Sequence, residues 1–141
     1  MEKQILYKYN QMELEQFALF EENYAQDIEE VQYQTEVQFA YDHKNLIICC
    51  KMSSTMTFEG KPLLKTVLNS YFDISETSIK ELTEDETVTF PPFALIQFAS
   101  LSYGTMRGII FAKTTGTPVN RLILPPMFFN EVIKNGYSVK M

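Results

Sequence analysis

Side chains that commonly carry chemistry are scarce in this chain. His43 is the only histidine, and Cys49 and Cys50 are the only cysteines. A cysteine–histidine nucleophile pair needs both groups within hydrogen-bond reach. His43 sits in the turn-forming run Asp42-His43-Lys44-Asn45, and the cysteines lie on the strand that follows. A strand rises about 3.3 Å per residue, which carries Cys49 well away from His43. Neighbouring strand residues point to opposite faces, so the two thiols cannot close a metal cage with one histidine. Their Cα atoms, about 3.8 Å apart, also fall short of the roughly 4.4–6.8 Å of a disulfide. Reduced thiols and no metal site follow. The five glycines form neither GxGxxG nor GxxxxGK with a following Ser or Thr, so no phosphate-cradling loop is expected. Carboxylates gather in loops, densest at Glu84-Asp85-Glu86, which is the pattern of a solvated surface. These residues imply no catalytic site, no cofactor and no enzyme.

What the chain has in surplus is aromatic and soft. It holds 11 Phe, 8 Tyr and 7 Met, with no Trp. A small sheet with one helix cannot hide them all, and Tyr24, Phe58, Met127, Phe128 and Phe129 are candidates for exposure. Adaptable aromatic and methionine surface suits a binder of varied apolar segments. Residues 127–134 (MFFNEVIK) read as a short amphipathic helix ended by Asn135-Gly136. Met127, Phe128, Phe129, Val132 and Ile133 either line a groove for such segments, with Tyr24 opposite, or simply fill the core.

The elements that must position these residues are legible from pattern. Residues 1–11 suggest a weakly ordered lead-in or short edge segment. From Met12 to Glu22 two apolar phases compete: Met12, Leu14, Ala18 and Phe20 against Phe17 and Leu19. A bulged strand, or one covered on both faces, reconciles them. Residues 23–31 (NYAQDIEEV) read as a polar crossing loop. Residues 33–42 alternate cleanly, with Tyr33, Thr35, Val37, Phe39 and Tyr41 on one face. Strand 46–57 places Leu46, Ile48, Cys50, Met52 and Met56 together. Strand 62–75 places Leu64, Leu68, Phe72 and Ile74 inward. Short turns at 42–45 and Glu59-Gly60 make the sheet antiparallel. An acidic connector is expected over 76–89.

A long helix follows, about 92–113. Pro91-Pro92 suit its first turn, and Gly116 and Pro118 lie just beyond its end. Ser100, Gly104, Gly108 and Ala112 fall four apart along one face. This smooth stripe admits close approach, either of the protein's own sheet or of a helix from another subunit. In the second case Phe93, Ile96, Met106 and Ile110 bury against the sheet. Gln97 and Arg107 interrupt the run and argue against a membrane span. The segment Leu122-Ile123-Leu124-Pro125-Pro126 reads as extended.

Length and charge set the remaining bounds. A chain of 141 residues is one domain, 1–141, able to bury a real core. A net charge of −6 disfavours nucleic acid and anionic membrane as partners. No charged-then-apolar leader opens the sequence, so a cytoplasmic protein is expected.

The motifs FPPFALIQFASLSYGTMRG and LILPPMFFNEVI, with the strand order and polar crossing loop before them, resemble the SecB family of export chaperones over residues 12–134. The resemblance implies an α+β subunit: a four-stranded antiparallel Greek-key sheet, a long helix and a short C-terminal helix. It implies assembly as a dimer of dimers, a homodimer or homotetramer, with long helices such as that bearing Ser100, Gly104, Gly108 and Ala112 at its centre. It further implies an ATP-independent holdase whose apolar grooves bind unfolded or preprotein clients, with SecA as a partner for the sheet's acidic outer face. Two features depart from the family. The chain ends NGYSVKM, without the cysteine- and histidine-bearing zinc tail many members use to engage SecA, and residues 109–121 are longer than the usual connection. SecB-like proteins serving toxin–antitoxin pairs supply the alternative, an interaction domain with one dedicated partner.

Overall fold

The computed structural model describes residues 4–141. Four strands form the main sheet: β1 (Tyr7–Leu19), β2 (Gln32–Asp42), β3 (Ile47–Phe58) and β4 (Lys61–Ile74). Their spatial order is β1-β4-β3-β2, all pairs antiparallel, which is Greek-key connectivity. Both hairpin turns are closed by local chemistry. Asp42 accepts from the Lys44 N–H at 3.0 Å and from Asn45 Nδ2 at 2.7 Å. Glu59 and Gly60 take positive φ of 53° and 77°, the left-handed pair that a two-residue hairpin requires. Of the two expectations for the lead-in, the edge segment holds from Tyr7, where β1 begins as an edge strand; residues 1–3 lie outside the described residues.

The competing phases of β1 are resolved by bulges. Pairing passes from Tyr9↔Phe72 to Gln11↔Tyr71, and from Leu14↔Leu68 to Gln16↔Val67, leaving Asn10 and Glu15 without opposites. Each extra residue flips the phase, so Leu14, Phe17 and Leu19 all end opposite inward residues of β4.

The core lies on the sheet's inner face. Ile48, Cys50, Met52 and Met56 of β3 are fully buried there with Leu64, Leu68 and Phe72 of β4. Helix α2, after the short α1 described next, spans Pro92–Lys113 and lies across them. Its buried residues Leu95, Phe98, Ala99, Ser102, Met106 and Ile110 recur every three to four positions and so form one stripe. Phe98 meets Phe72 at 4.6 Å and Tyr7 at 5.0 Å between ring centroids. Met106 and Ile110 are buried as expected for the sheet-facing side, while Phe93 and Ile96 are only half-covered.

The acidic connector 76–89 is not a plain loop. It holds α1 (Glu76–Leu82), β5 (Thr83–Glu84) and β6 (Thr87–Phe90). Ser75 caps α1, its Oγ accepting from the Ser78 N–H at 3.1 Å, and Ile79 and Leu82 turn into the core. Asp85 and Glu86 supply the positive-φ hairpin between β5 and β6, so the run that looked like solvated surface is also a tight turn. A final strand β7 (Tyr137–Lys140) pairs with β6, giving a second, three-stranded sheet. That sheet packs on the β2 side of the core through Tyr41–Phe90 at 5.2 Å and Phe39–Tyr137 at 6.5 Å. Gly136 is dictated by space, since a Cβ there would meet the Phe90 carbonyl at 2.7 Å.

The two thiols face opposite sides of β3. Cys50 is buried against Ser102, and burial pushes its thiol up to about 12. Cys49 is half-buried on the outer face, its thiol also raised by burial. Below about pH 9 the Cys50 thiol is neutral whether the chain is folded or not. Between there and about 12 the unfolded chain releases this proton and the fold retains it. Stability should therefore fall with rising pH by about 1.4 kcal/mol per unit from this group alone. Urea titrations from pH 8 to 10.5 on the wild type and Cys50→Ala check it: the variant should show the shallower decline.

Candidate functional site

Helix α2 ends in a network that launches the next segment. Thr114 Oγ1 donates to the Ile110 carbonyl at 2.7 Å, and Asn120 Nδ2 donates to the Phe111 carbonyl at 2.8 Å. The Ile110 carbonyl also accepts from the Thr114 backbone N–H at 3.0 Å, while the Phe111 carbonyl, in the last turn, is met by side-chain donors. The chain then runs extended from Leu122, and Tyr103 Oη donates to the Pro125 carbonyl at 2.5 Å, tying the segment back to α2.

Along this tied segment apolar residues alternate between anchor and surface. Leu124 is buried, and Phe129 is 2% exposed with its ring edge-on to Tyr103 at 5.7 Å. Ile133 is also buried. Between them Ile123 is 60%, Phe128 65% and Val132 52% exposed, with Met127 half-covered. The backbone is thus fixed from below while three large apolar side chains face solvent. One exposed apolar side chain is ordinary on a surface; three along one short tied segment make it the candidate interaction surface. Ile123 was not among the residues singled out from sequence, because a continuous apolar run shows no phase; Phe111 of α2, exposed beside it, was missed likewise.

The short helix expected over 127–134 is a single 3-10 turn, Phe129–Glu131. One i→i+4 bond, Ile133 N–H to the Phe129 carbonyl at 2.7 Å, brings both anchors to the same side. The helix does not propagate, since prolines precede it and Gly136 and β7 demand extended chain just after it. A segment this short cannot offset the cost of helix nucleation.

Tyr24 lies half-buried at the start of the crossing loop, packed on the core with Ile28 and Val31. Farther along, Asp27, Glu29 and Glu30 face Phe58 and Glu59 across an acidic cleft of about 360 Å³. The small-residue stripe lies on the solvent side of α2: Ser100, Gly104, Gly108 and Ala112 are all exposed, and a Cβ built on either glycine meets nothing within 4 Å. Leu101 and Phe111 stand exposed on the same side. The protein's own sheet therefore does not use the stripe.

The sheet's outer face is mixed in charge. Lys51 pairs with Glu15 at 3.2 Å, and Asn69 Nδ2 donates to Glu15 Oε1 at 3.1 Å. These two contacts hold the Glu15 carboxyl below its usual range. Lys65 and Lys51 stand among Glu13, Glu36 and Asp73. Among the described residues no three His, Cys, Asp or Glu side chains gather as metal ligands, and no helix is long and apolar enough to cross a membrane.

No protein-family model and no curated protein matches the sequence. Among solved structures, the chain is similar to the Mycobacterium tuberculosis SecB-like chaperone Rv1957, solved in complex with a ChAD peptide from the Rv1956 HigA1 antitoxin. The TM-score is 0.56 at 11% identity, covering 86% of this chain and 90% of that one. Together with the Greek-key sheet, the crossing long helix and the proline-bearing arm, this establishes a SecB-like α+β fold.

Proposed function

We propose that this protein is an ATP-independent, chaperone-like binder of non-native polypeptides, without enzymatic activity. The observation that supports it most is the arm 122–133, where Phe129 and Ile133 anchor the backbone and Ile123, Phe128 and Val132 remain exposed. Rigid backbone under exposed apolar side chains binds extended apolar segments without the entropy of ordering a loop. Met127 and, from the crossing loop, Tyr24 flank the binding surface, with Phe129 and Ile133 holding its floor. Subunits associate through the stripe Ser100, Gly104, Gly108 and Ala112 into a dimer or dimer of dimers. The protein works in the cytoplasm, where Cys49 and Cys50 stay reduced. Engagement of SecA, and a role in protein export, would rest on the outer sheet face.

The dedicated-partner reading is favoured by one finding: the structural neighbour was solved with an antitoxin peptide. Aggregation assays on several chemically unfolded proteins of unrelated sequence separate the two. General suppression at stoichiometric protein, weakened about tenfold by Phe128→Ser, supports a holdase. No suppression of any client overturns it and leaves the dedicated partner.

A further inference from the structure

We infer that the free edge of β2 takes up an extended segment of a non-native polypeptide as an added antiparallel strand of the main sheet. This rests on the chaperone-like reading and gives it a binding mode. β2 lies at one side of the sheet and pairs only with β3. The direction of its backbone groups follows from the register. The Ile74 N–H donates to the Leu46 carbonyl at 2.9 Å, so the even-numbered residues of β3, in phase with Leu46, bond towards β4. The odd-numbered residues of β3 then bond towards β2, where their opposites are the even-numbered residues from Gln32 to Asp42. That leaves the N–H and carbonyl of Tyr33, Thr35, Val37, Phe39 and Tyr41 on the open side. Among the described residues no backbone partner meets them.

Free edges are ordinarily blunted by bulges, proline or lysine. At the other edge β1 carries Lys8 and two bulges. β2 keeps an unbroken register with β3 from Gln32 to Asp42 and contains neither proline nor lysine. The five residues with free backbone groups also turn their side chains to the inner face, where all stay at least partly exposed. An antiparallel strand bonded to them sets every second side chain on that face, about 4.8 Å to the side. Burial raises the Tyr103 phenol, and Tyr33 is near enough to add to the effect. Since Tyr103 ties down the arm, the β2 edge and the arm border one surface. The outer face of β2 carries Glu36 and Asp42 with no base. Lysine or arginine at the intervening positions of the added strand complements them, whereas a second copy of β2 brings only more carboxylates.

The probe is a terminally blocked peptide of about ten residues, leucine alternating with threonine and lysine, titrated by calorimetry into the intact protein. In the added strand each leucine lies on the inner face and its own N–H points at β2. Main-chain bonds carry the affinity of such additions. Methylating the leucine nitrogens should therefore weaken binding about tenfold or more, and methylating the others should change it by less than about threefold. Val37→Pro removes one edge-facing donor and no bond to β3, so it should weaken the parent peptide while the circular dichroism spectrum holds. The methylated peptides decide the matter on the unaltered protein even where that variant misfolds. Equal losses from both methylations, loss from neither, the reverse selectivity, or no binding of the parent overturns the edge. Binding that ignores methylation yet disappears in Phe128→Ser places the peptide on the arm through side chains alone. The chaperone reading falls only if aggregation of unfolded clients also goes unsuppressed, so the two failures are distinguishable.

Discussion

Phe129→Ala should cost about 3–5 kcal/mol of stability, while Phe128→Ala, one residue earlier, should change it by about 0.5 kcal/mol. Phe129 is 2% exposed, packs edge-on to Tyr103 and holds the arm to α2; its removal leaves a cavity and loosens the Pro125 tie. Phe128 points to solvent at 65% exposure, so its ring contributes little to the fold. Function should divide the other way. Phe128→Ala should keep a wild-type urea midpoint yet bind unfolded clients about tenfold more weakly, because an exposed aromatic is the kind of anchor that dominates polypeptide interfaces. Urea denaturation paired with client titration reads both. If Phe128→Ala unfolds the protein, the residue is core in solution; if it folds and binds clients normally, the clients bind elsewhere.

Gly104→Leu should split the proposed assembly while leaving each subunit largely folded. The glycine stands exposed in the middle of α2, with open space where a Cβ would project. Within the subunit the change is favourable, since leucine exceeds glycine in helix propensity by roughly 0.5–1 kcal/mol. A fall in mass therefore cannot be ascribed to unfolding. A stripe of small residues admits a partner helix at the near end of the usual 8–10 Å spacing, and a leucine inserted there pushes the axes apart. The exposed Leu101 and Phe111 would supply the apolar contact on either side. Closed symmetry then places the same stripe on both subunits. Light scattering at micromolar concentration provides the test. A monomeric wild type would exclude the seam at once, and an oligomer unmoved by Gly104→Leu would place the interface on another surface.

The sequence determined, without help from tertiary structure, the alternation of β2 and β3, the inward set of β4, both hairpin turns and the extent of α2. Each rests on a signal that spans only a few residues: period-two alternation, left-handed turn residues, or proline and glycine bracketing an apolar run. Its two competing apolar phases in β1 left a bulge and coverage on both faces as alternatives, and the paired register decided for bulges. Only the tertiary structure decided which side of α2 faces the sheet, because apolar residues occupy much of the helix circumference and no single face is marked. It likewise divided Phe128 from Phe129 and Ile123 from Leu124, neighbours whose identical chemistry carries no record of which meets Tyr103 or the core. The connector shows the limit most plainly. Ser75 with Ile79 and Leu82 is a cap followed by a buried face, yet α1 is too short to announce itself by periodicity, and β5 pairs with β6 while β6 pairs with β7 some fifty residues later in the chain. Burial and strand pairing depend on partners distant in sequence, and those contacts exist only once the chain has closed on itself.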